Sequence, residues 1–480
     1  MRAEIVRQAA KRGVLLDPEL TELCLCQDDP VRFIDDVLSS AKGKFHVCLQ
    51  DLPAEHLDDA GPRRADEPRE LRGASTVQRR RGDISVMDGT DVTGESTCEG
   101  KIEDFGRYFQ SRYRSLRKML ERRRELAGAM PLDRAMRMDR EVKTIGMVAE
   151  VSNTKNGHRI ISLEDGSGES KVFISKDSPL IDRVIVPDEV IGIVGKPTAK
   201  KDMLIAEELV HPDIPLGNSL EKTDSTSSIG FLCDVHMGSC TFLDKQWESM
   251  ISWLKKESHN IALDYLVLPG DVVDGIGIFP DQLDELVIDS IYGQYAKVAE
   301  MLKEVPDHIT IVLQPGNHDS VRPAEPQPAL AEAFAKEFDS NIMMVGNPVY
   351  LEVEGRTVLS YHGRAMDDWI STVQNLSYEE PLKVMEEMLR RRHLAPIYGK
   401  RTPLAPEKKD YMVIDKVPDF FVTGHVHKAG HSEYRGVKTI NASAWQSQTE
   451  YQKMHNFEPD PAILPIINLG SGAVQMMDFN

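Results

Sequence analysis

Apolar runs of strand length alternate with helical patterns over the C-terminal half of the chain. The strand runs are short and continuous, whereas the helical stretches repeat apolar residues at three- to four-residue intervals. This alternation predicts an α/β domain over residues 226–480. The strand runs are IGFLC, YLVLP, ITIVLQ, TVLSY and FFVTG, and the helical stretches are DKQWESMISWLKKE, DQLDELVIDSIYGQYAKVAEMLKEVP and YEEPLKVMEEMLRRRH.

Residues 139–215 show a different pattern, in which short apolar or alternating runs are separated by Asn-Gly, Asp-Gly and Lys-Pro turns. About five strands in this length predict a small β-barrel, the OB-fold. Phe173 is the one Phe, Tyr or Trp between Asp139 and Pro212, although single strands are usually bound by base stacking on aromatic side chains. DNA contact and protein contact therefore both stay open for this barrel.

The N-terminal part divides into three segments. Residues 1–50 contain two stretches with apolar positions at helical spacing, each ending near Gly, and we expect a small helical domain there. Residues 51–100 are rich in charge, Gly, Ser and Thr and poor in large apolar residues, so we expect a disordered linker. Residues 101–138 are expected to form a basic helix, on the evidence of a strongly basic stretch that starts at Arg107.

This basic stretch, RYFQSRYRSLRKMLERRR, has apolar residues roughly at helical intervals. It predicts a helix with one packing face and a cationic remainder. The cationic remainder is either a solvated surface or a surface beside DNA, and the sequence does not decide between them. The predicted packing positions are Tyr108, Tyr113, Leu116, Met119 and Leu120.

Composition narrows the class of protein. The 480 residues suffice for about three domains, and 41% hydrophobic with 28% charged residues is ordinary for a globular protein. No apolar run approaches the roughly 20 residues of a membrane span, and the first residues lack a secretory pattern, so we expect a cytoplasmic protein without a membrane partner.

The net charge of −19 argues against a generic nucleic-acid coat protein. Six scattered cysteines do not predict a structural zinc site.

Every strand run of the α/β domain ends in residues that can bind a metal. Ligands of α/β sheets bind beyond the carboxyl ends of the strands, so these residues are expected to converge. Residues two apart in extended chain point to the same side, which lets each D-x-H or H-x-H pair hold one ion. The residues are Asp234 and His236 after the first run, Asp271 after the second, Asn317, His318 and Asp319 after the third, His362 after the fourth, and His425 and His427 after the last.

Carboxylate, amide and imidazole ligands together suit Mn, Fe or Zn better than Ca or Mg. There are more candidates than one tetrahedral ion needs, so two divalent ions bridged by a carboxylate are expected. Asp319 either orients the imidazole of His318 or caps the following turn.

The order D-x-H, GD, GNH, H, GHxH resembles the calcineurin-like metallophosphoesterase superfamily over residues 226–480. The longer stretches LPGDVVDGIGIFP, QPGNHDSVRPAEPQPAL, YHGRAMDDWI and INASAWQSQTEYQK resemble the small subunit of the archaeal D-family DNA polymerase. This resemblance implies a four-layer α-β-β-α sandwich, preceded by the OB-fold and the small helical domain.

The resemblance also implies a function and roles for the residues. The small subunit would supply 3′→5′ proofreading, typically with Mn²⁺, to a large catalytic polymerase subunit, and would act on a single-stranded 3′ end of DNA. Asp234, His236 and His427 would hold one metal, and Asn317, His362 and His425 the other. Asp271 would bridge both metals, and His318 would lie over the scissile phosphate without binding metal.

Two other functions stay open from the sequence. One is a catalytically silent scaffold for the large subunit, and the other is a stand-alone metallophosphodiesterase or phosphatase. A contact between the N-terminal helical segment and a sliding clamp is also undecided.

Overall fold

The computed structural model describes residues 84–480 except 455, together with short stretches between residues 5 and 47. The described strands are β1 (Leu15–Leu16), β2 (His46–Val47), β3 (Ile84–Val86), β4 (Val142–Asn153), β5 (Arg159–Asp165), β6 (Gly168–Ile174), β7 (Val190–Pro197), β8 (Met203–Val210), β9 (Ser228–Phe231), β10 (Leu263–Pro269), β11 (Thr310–Gln314), β12 (Met343–Met344), β13 (Val349–Val353), β14 (Arg356–Ser360), β15 (Phe420–Thr423), β16 (Gly430–Tyr434), β17 (Val437–Asn441), β18 (Ile463–Asn468) and β19 (Val474–Asp478). The described α-helices are α1 (Pro18–Leu25), α2 (Pro30–Ser40), α3 (Ile102–Leu120), α4 (Leu132–Ala135), α5 (Asp244–Glu257), α6 (Ile291–Leu302), α7 (Glu332–Ala335), α8 (Met366–Thr372), α9 (Pro381–Arg391) and α10 (Glu450–Met454). None of these helices is long and apolar enough to cross a membrane.

Two six-stranded sheets form the C-terminal domain. The first sheet has the order β12-β11-β10-β9-β18-β19 and the second has the order β16-β17-β15-β14-β13-β3. In the first sheet, β9, β10, β11 and β12 run parallel, and β14, β15 and β17 do so in the second. The expectation of an α/β fold is confirmed.

The strand runs are continuously apolar because both faces of each strand are buried. Along β10, Leu266 and Leu268 pack with residues of α5 and α6, whereas Val267 points to the opposite face and packs with residues of the second sheet. Along β15, Phe420 packs with the first sheet and Phe421 packs with residues of α8 and α9. Apolar side chains therefore lie between the two sheets and on both outer faces.

A five-stranded closed barrel with the order β4-β5-β6-β8-β7 precedes this domain. Its strands lie within residues 139–215, where the turn-punctuated pattern predicts them. Alternate residues such as Ile161, Leu163 and Val172 are fully buried in its core. Phe173 lies against the ring of His158, with 5.0 Å between ring centroids.

Helix α3 packs with the face that its sequence predicts, except at one position. Tyr108, Leu116 and Leu120 are buried, and Tyr113 and Met119 are half-buried. Arg112 is also fully buried, so the expected division into a packing face of those five residues and a cationic remainder is wrong at Arg112. The one-turn spacing of Tyr108, Arg112 and Leu116 places them on a single stripe, and that stripe faces the rest of the protein.

Buried Arg112 joins three parts of the chain. Its Nε donates to Asp410 at 2.8 Å and its Nη1 to the carbonyls of Pro396 and Asp188, at 2.6 and 3.3 Å. Asp410 is fully buried and also accepts from Nε2 of His393 at 2.9 Å. Because Asp188 lies beside the barrel strands and Asp410 belongs to the C-terminal domain, one guanidinium holds helix, barrel and domain together.

Residues 84–100, which we name the edge segment, correct the expected linker. Strand β3 pairs antiparallel with β13 at the edge of the second sheet, and the following residues are fixed by side chains of the C-terminal domain. Buried Glu407 accepts from Ser96 Oγ at 2.6 Å and from the N–H of Thr97 at 2.9 Å. A low content of large apolar residues does not leave this segment without a partner, because pairing with a sheet edge satisfies its backbone. The remaining residues of the expected linker, 51–83, lie outside the described part of the chain.

Candidate metal centre

The predicted site residues lie at one end of both sheets. Asp234 and His236 follow β9, Asp271 follows β10, and Asn317 and His318 follow β11, which are neighbouring parallel strands. His362 follows β14, and His425 and His427 follow β15 in the second sheet. Parallel neighbours end at the same edge, and the two edges together form one cleft.

The backbone turns sharply where it enters this cleft. Five of the predicted residues have a left-handed backbone, with φ of 51° at Asp234, 49° at His236, 51° at Asp271, 70° at His425 and 51° at His427. Asp and His adopt this conformation more readily than most residues, but it still costs free energy and is concentrated at functional sites. The turns aim consecutive side chains into the cleft instead of along the strand.

Neighbouring glycines allow the close approach of these turns. A Cβ on the glycine at position 316 would lie 2.2 Å from Oδ1 of Asp271, and one at position 424 would lie 2.5 Å from Oδ2 of Asp234. Any larger residue at either position would displace a carboxylate from the cleft.

Asp234, His236 and His427 form the first group of candidate ligands. Nε2 of His236 lies 3.1 Å from Nε2 of His427. Oδ1 of Asp234 lies 3.9 Å from the first of these nitrogens and 3.8 Å from the second. All three side chains are buried, and their ligand atoms are close enough for one ion.

Asp271, His362, His425 and Asn317 form the second group. Nε2 of His362 lies 3.3 Å from Oδ2 of Asp271 and 3.0 Å from Oδ1 of Asn317. His425 completes a set with Asp271 and His362 in which the three ligand atoms lie within 4.8 Å of one another. Oδ2 of Asp271 also lies 3.9 Å from Nε2 of His236 in the first group, so this carboxylate stands between the two groups.

Two features of these groups fit divalent cations. Oδ1 of Asp234 is buried without a hydrogen-bond partner among the described residues, which is costly unless a cation or another group pairs with it. The imidazole of His362 must donate from Nδ1 to the carbonyl of Pro269 at 3.1 Å, because a carbonyl only accepts. Nε2 is thereby the ring nitrogen that faces Asp271 and Asn317, and it can bind a metal once it releases the proton that it shares with Asp271.

His318 stands beside both groups with a different orientation. Its ring contacts that of His236 edge-to-face, with 4.6 Å between centroids, and its backbone N–H donates to Asp271 at 2.8 Å. Nδ1 of His318 donates to the carbonyl of Asp274 at 2.8 Å. Nε2 of His318 is therefore the nitrogen that can exchange a proton with a molecule in the cleft.

Asp319 holds the loop and does not contact this imidazole. Its carboxylate accepts from the N–H of Gly316 at 2.8 Å and from the hydroxyl of Tyr295 at 3.1 Å. Burial, followed by the charge of Asp271, raises the pKa of Asp319 to about 6. Of the two roles that the sequence leaves open, fixing the turn is the one that these contacts support.

Charge in the cleft is balanced between carboxylates and imidazoles. Burial opposes ionisation of Asp271, but the positive charge of His362 and then of His318 outweighs it and holds the pKa of Asp271 well below its usual value. Burial also disfavours the imidazolium of His236, yet its hydrogen bond to Asp274 and the charge of Asp271 raise the pKa of His236 to about 9. A cation therefore competes with protons for the same imidazole nitrogens, and its affinity should fall as the pH drops.

Sequence reasoning missed three residues that orient these imidazoles. Nδ1 of His236 lies 3.1 Å from Oδ1 of Asp274, Nδ1 of His427 lies 3.0 Å from Nε2 of Gln452, and Nε2 of His425 lies 3.4 Å from Oδ2 of Asp367. Asp274 follows Asp271 by three residues in GDVVD, so its position in the motif was a usable signal. Gln452 and Asp367 lie in the stretches INASAWQSQTEYQK and YHGRAMDDWI that resemble the family, but their spacing to His427 and His425 does not indicate an orienting role.

Asp274→Ala is expected to weaken divalent-metal binding by about 10- to 100-fold, because His236 loses the carboxylate that fixes its tautomer and orientation. Titration of the full chain with Mn²⁺ by calorimetry measures this. Asp281→Ala is the matched control, since Asp281 is exposed on the same loop. Unchanged affinity in Asp274→Ala would contradict the orienting role.

Known proteins are similar to the chain over almost its whole length. Residues 229–431 match the family model that describes the B subunits of DNA polymerases alpha and epsilon. The DNA polymerase II small subunit of Archaeoglobus fulgidus is 40% identical over 486 residues, covering 99% of this chain and 97% of that protein. The chain belongs to the family of DNA polymerase II small subunits. The resemblance to the archaeal D-family small subunit is thereby confirmed.

A second member of this family of small subunits gives the same extent of similarity. The DNA polymerase II small subunit of Methanothermobacter thermautotrophicus is 39% identical over 495 residues, which cover 99% of this chain and all of that protein. Among solved structures, an archaeal phosphodiesterase overlaps 52% of this chain and 98% of its own length at 12% identity, with a TM-score of 0.27.

Proposed function

We propose that this small subunit is a metal-dependent 3′→5′ exonuclease that removes mispaired nucleotides from DNA during replication. The observation that carries the proposal is the convergence of Asp234, His236 and His427 with a second group around Asp271, beside His318, whose Nδ1 is held by the carbonyl of Asp274. We further propose that the two sheets with their outer helices form the α-β-β-α sandwich, and that the barrel is an OB-fold. The packing on both sheet faces and the closed strand order support these assignments.

The two groups divide the metal ligands between them. Asp234, His236 and His427 would hold one divalent ion, Asn317, His362 and His425 would hold the other, and Asp271 would bridge them. When bound, divalent cations at such a site supply activated water near neutral pH and positive charge for the phosphate oxygens. Mn²⁺ is the proposed metal, with Fe or Zn as alternatives, because the ligands mix oxygen and imidazole nitrogen.

The protein's own groups carry the remaining chemistry. The carbonyl of Asp274 anchors Nδ1 of His318, so the imidazole can present an Nε2 proton to the departing 3′-oxygen. The carboxylate of Asp271 accepts a hydrogen bond from the backbone N–H of His318. This bond fixes the distance between His318, the proposed acid, and the carboxylate that would bridge the metals. The product would be a mononucleotide from a frayed 3′ end.

The partners follow from the family. A small subunit implies a large catalytic polymerase subunit, and the proposed reaction implies a single-stranded 3′ end of DNA as substrate. All seven proposed metal ligands are present, and within each group their ligand atoms lie close to one another. This favours a working nuclease over a silent scaffold.

Asp271→Asn is the variant that tests the proposed reaction. The wild-type chain, alone and with the large subunit, should degrade a 5′-labelled oligonucleotide from its 3′ end with Mn²⁺ and not with chelator. Asp271→Asn should lose this activity together with bound metal, because the bridging charge is gone. Hydrolysis that persists in chelator, or a fully active Asp271→Asn, would refute the assignment. Wild-type inactivity in both forms, with metal bound, would favour the scaffold.

A further inference from the structure

The loop of residues 398–401, with the sequence Tyr-Gly-Lys-Arg, leads from the metal cleft to helix α3. All four residues are exposed, and Tyr398 exposes 42% of its surface. Four residues span at most about 14 Å, so the loop is short. The proposed reaction does not use it.

One end of this loop is fixed at the metal cleft. The N–H groups of Arg401 and Thr402 donate to the carboxylate of Asp368 at 2.8 and 3.0 Å. The preceding residue, Asp367, contacts His425 at 3.4 Å. The base of the loop and a proposed metal ligand are thus held by adjacent residues of helix α8.

The other end is fixed at the junction of helix and barrel. The N–H of Tyr398 donates to Asp188 beside the barrel at 3.0 Å. Its ring stands edge-on against Phe105 and Phe109 of α3, with centroids 5.5 and 5.4 Å away. Buried Arg112 donates to the carbonyl of Pro396 just before the loop. The exposed ring is therefore held in place before any ligand arrives, so little ordering would oppose binding.

Charge and chemistry at this loop favour one class of ligand. Among the described residues, the side chains of Lys400 and Arg401 form no ion pair within 4 Å, whereas Arg107 and Lys101 on the nearby helix end pair with Asp104 and Glu99. An exposed aromatic ring beside two exposed cations is typical of single-strand binding surfaces, where bases stack and phosphates are held. Asp188 and Asp368 accept hydrogen bonds from the backbone of the loop. Asp367, whose carboxylate contacts His425, also attracts the charge of Arg401.

We propose that residues 398–401 bind the single strand of DNA that leads to the metal cleft, with a base stacked on Tyr398 and phosphates beside Lys400 and Arg401. This rests on the proposed nuclease function and names the path of its substrate. The path explains how a chain with a barrel poor in aromatic residues binds a single strand, since the aromatic side chains come from the loop and from α3.

Fluorescence anisotropy in chelator measures this binding separately from hydrolysis. With the full chain and a 5′-labelled oligo-dT, Tyr398→Ala should weaken binding by roughly 5- to 150-fold, the usual contribution of one stacked base. Tyr398→Phe keeps the ring and should bind like the wild type. Lys400→Ala with Arg401→Ala should reduce the slope of log affinity against log salt by about 1.4, from two lost phosphate contacts.

The matched control for charge is Lys256→Ala with Lys303→Ala, since both residues are exposed, one at the end of α5 and the other directly after α6. Wild-type affinity in Tyr398→Ala, or an equal change of salt slope in the control pair, would overturn the proposal. So would a Tyr398→Ala chain that no longer associates with the large subunit and yet binds oligo-dT normally, because the loop would then be a protein interface. The expected effects of these variants on binding, combined with a wild type that hydrolyses nothing, would refute the nuclease and leave the strand path standing.

Discussion

Replacing His318 with alanine is expected to lower 3′→5′ hydrolysis by roughly 10²- to 10⁴-fold, the usual contribution of a positioned acid, while bound metal stays at the wild-type amount. The imidazole contacts the cleft through Nε2 and is anchored by its other nitrogen to the carbonyl of Asp274. It is not needed to hold an ion, because the proposed ligands complete both groups without it. The chemical step should therefore suffer and the metal content should not.

Burial lowers the pKa of His318, and repulsion by His236 lowers it further. The negative charge of Asp271 raises this pKa but does not outweigh the other two, so the net shift is downward. Because the acid acts in its protonated form, its contribution should decline as the pH rises through that lowered pKa. The wild type should show this decline below pH 6.5, the usual His pKa, and His318→Ala should lack it. Single-turnover rates across pH, with metal counted by mass spectrometry, measure both quantities. His431→Ala is the control, because His431 is exposed on an edge strand. Loss of metal from His318→Ala would make it a ligand and overturn the assignment.

Asp410→Ala is expected to lower the free energy of unfolding by about 3–5 kcal/mol, because it leaves the guanidinium of Arg112 buried without its counter-charge. The same carboxylate accepts from His393, whose Nδ1 already accepts from the N–H of Ala395 at 3.1 Å. The imidazole is therefore satisfied only as the neutral tautomer with a proton on Nε2, and burial together with Arg112 lowers the pKa of His393 to about 4. Removal of Asp410 leaves Nε of Arg112 and Nε2 of His393 without the carboxylate to which both donate.

Urea unfolding of the full chain measures this loss, with Arg114→Ala as the control from the exposed side of the same helix. Arg112→Leu combined with Asp410→Leu should be less destabilising than the sum of the two single changes, because each single change strands a charge that the double change removes. A loss below about 1 kcal/mol in Asp410→Ala would show that water or another group compensates the guanidinium.

The strand ends of the α/β domain could be predicted because local sequence determines them. A buried run followed by Gly and a ligating residue, as at Asp271 or His425, carries both the strand and its end in a few consecutive letters. Local sequence did not predict the burial of Arg112. Helical spacing assigns a residue to one face of the helix, but it does not show whether a carboxylate from a distant part of the chain packs against that face. Asp410 is 298 residues away, and no pattern within the helix refers to it.

Composition failed at residues 84–100 for a related reason. Few large apolar residues predict that a segment cannot build a core of its own. The edge segment is instead held by β13, by the carboxylate of Glu407 and by further hydrogen bonds to the C-terminal domain, such as that of Asp91 with Gly346. The orienting roles of Gln452 and Asp367 could not be predicted for the same reason. Residues that orient a ligand need a particular position in space and no particular neighbours in sequence.

The edge segment also decides where the chain can be shortened. A protein that begins at residue 84 keeps β3 along β13 and keeps the hydroxyl and N–H groups that occupy Glu407. A protein that begins at residue 101, where the basic helix starts, would expose the backbone of β13 to strand pairing between molecules. It would also leave Glu407 with Arg322, 2.9 Å away, as its main remaining partner. Truncation for crystallisation or display should therefore fall before β3.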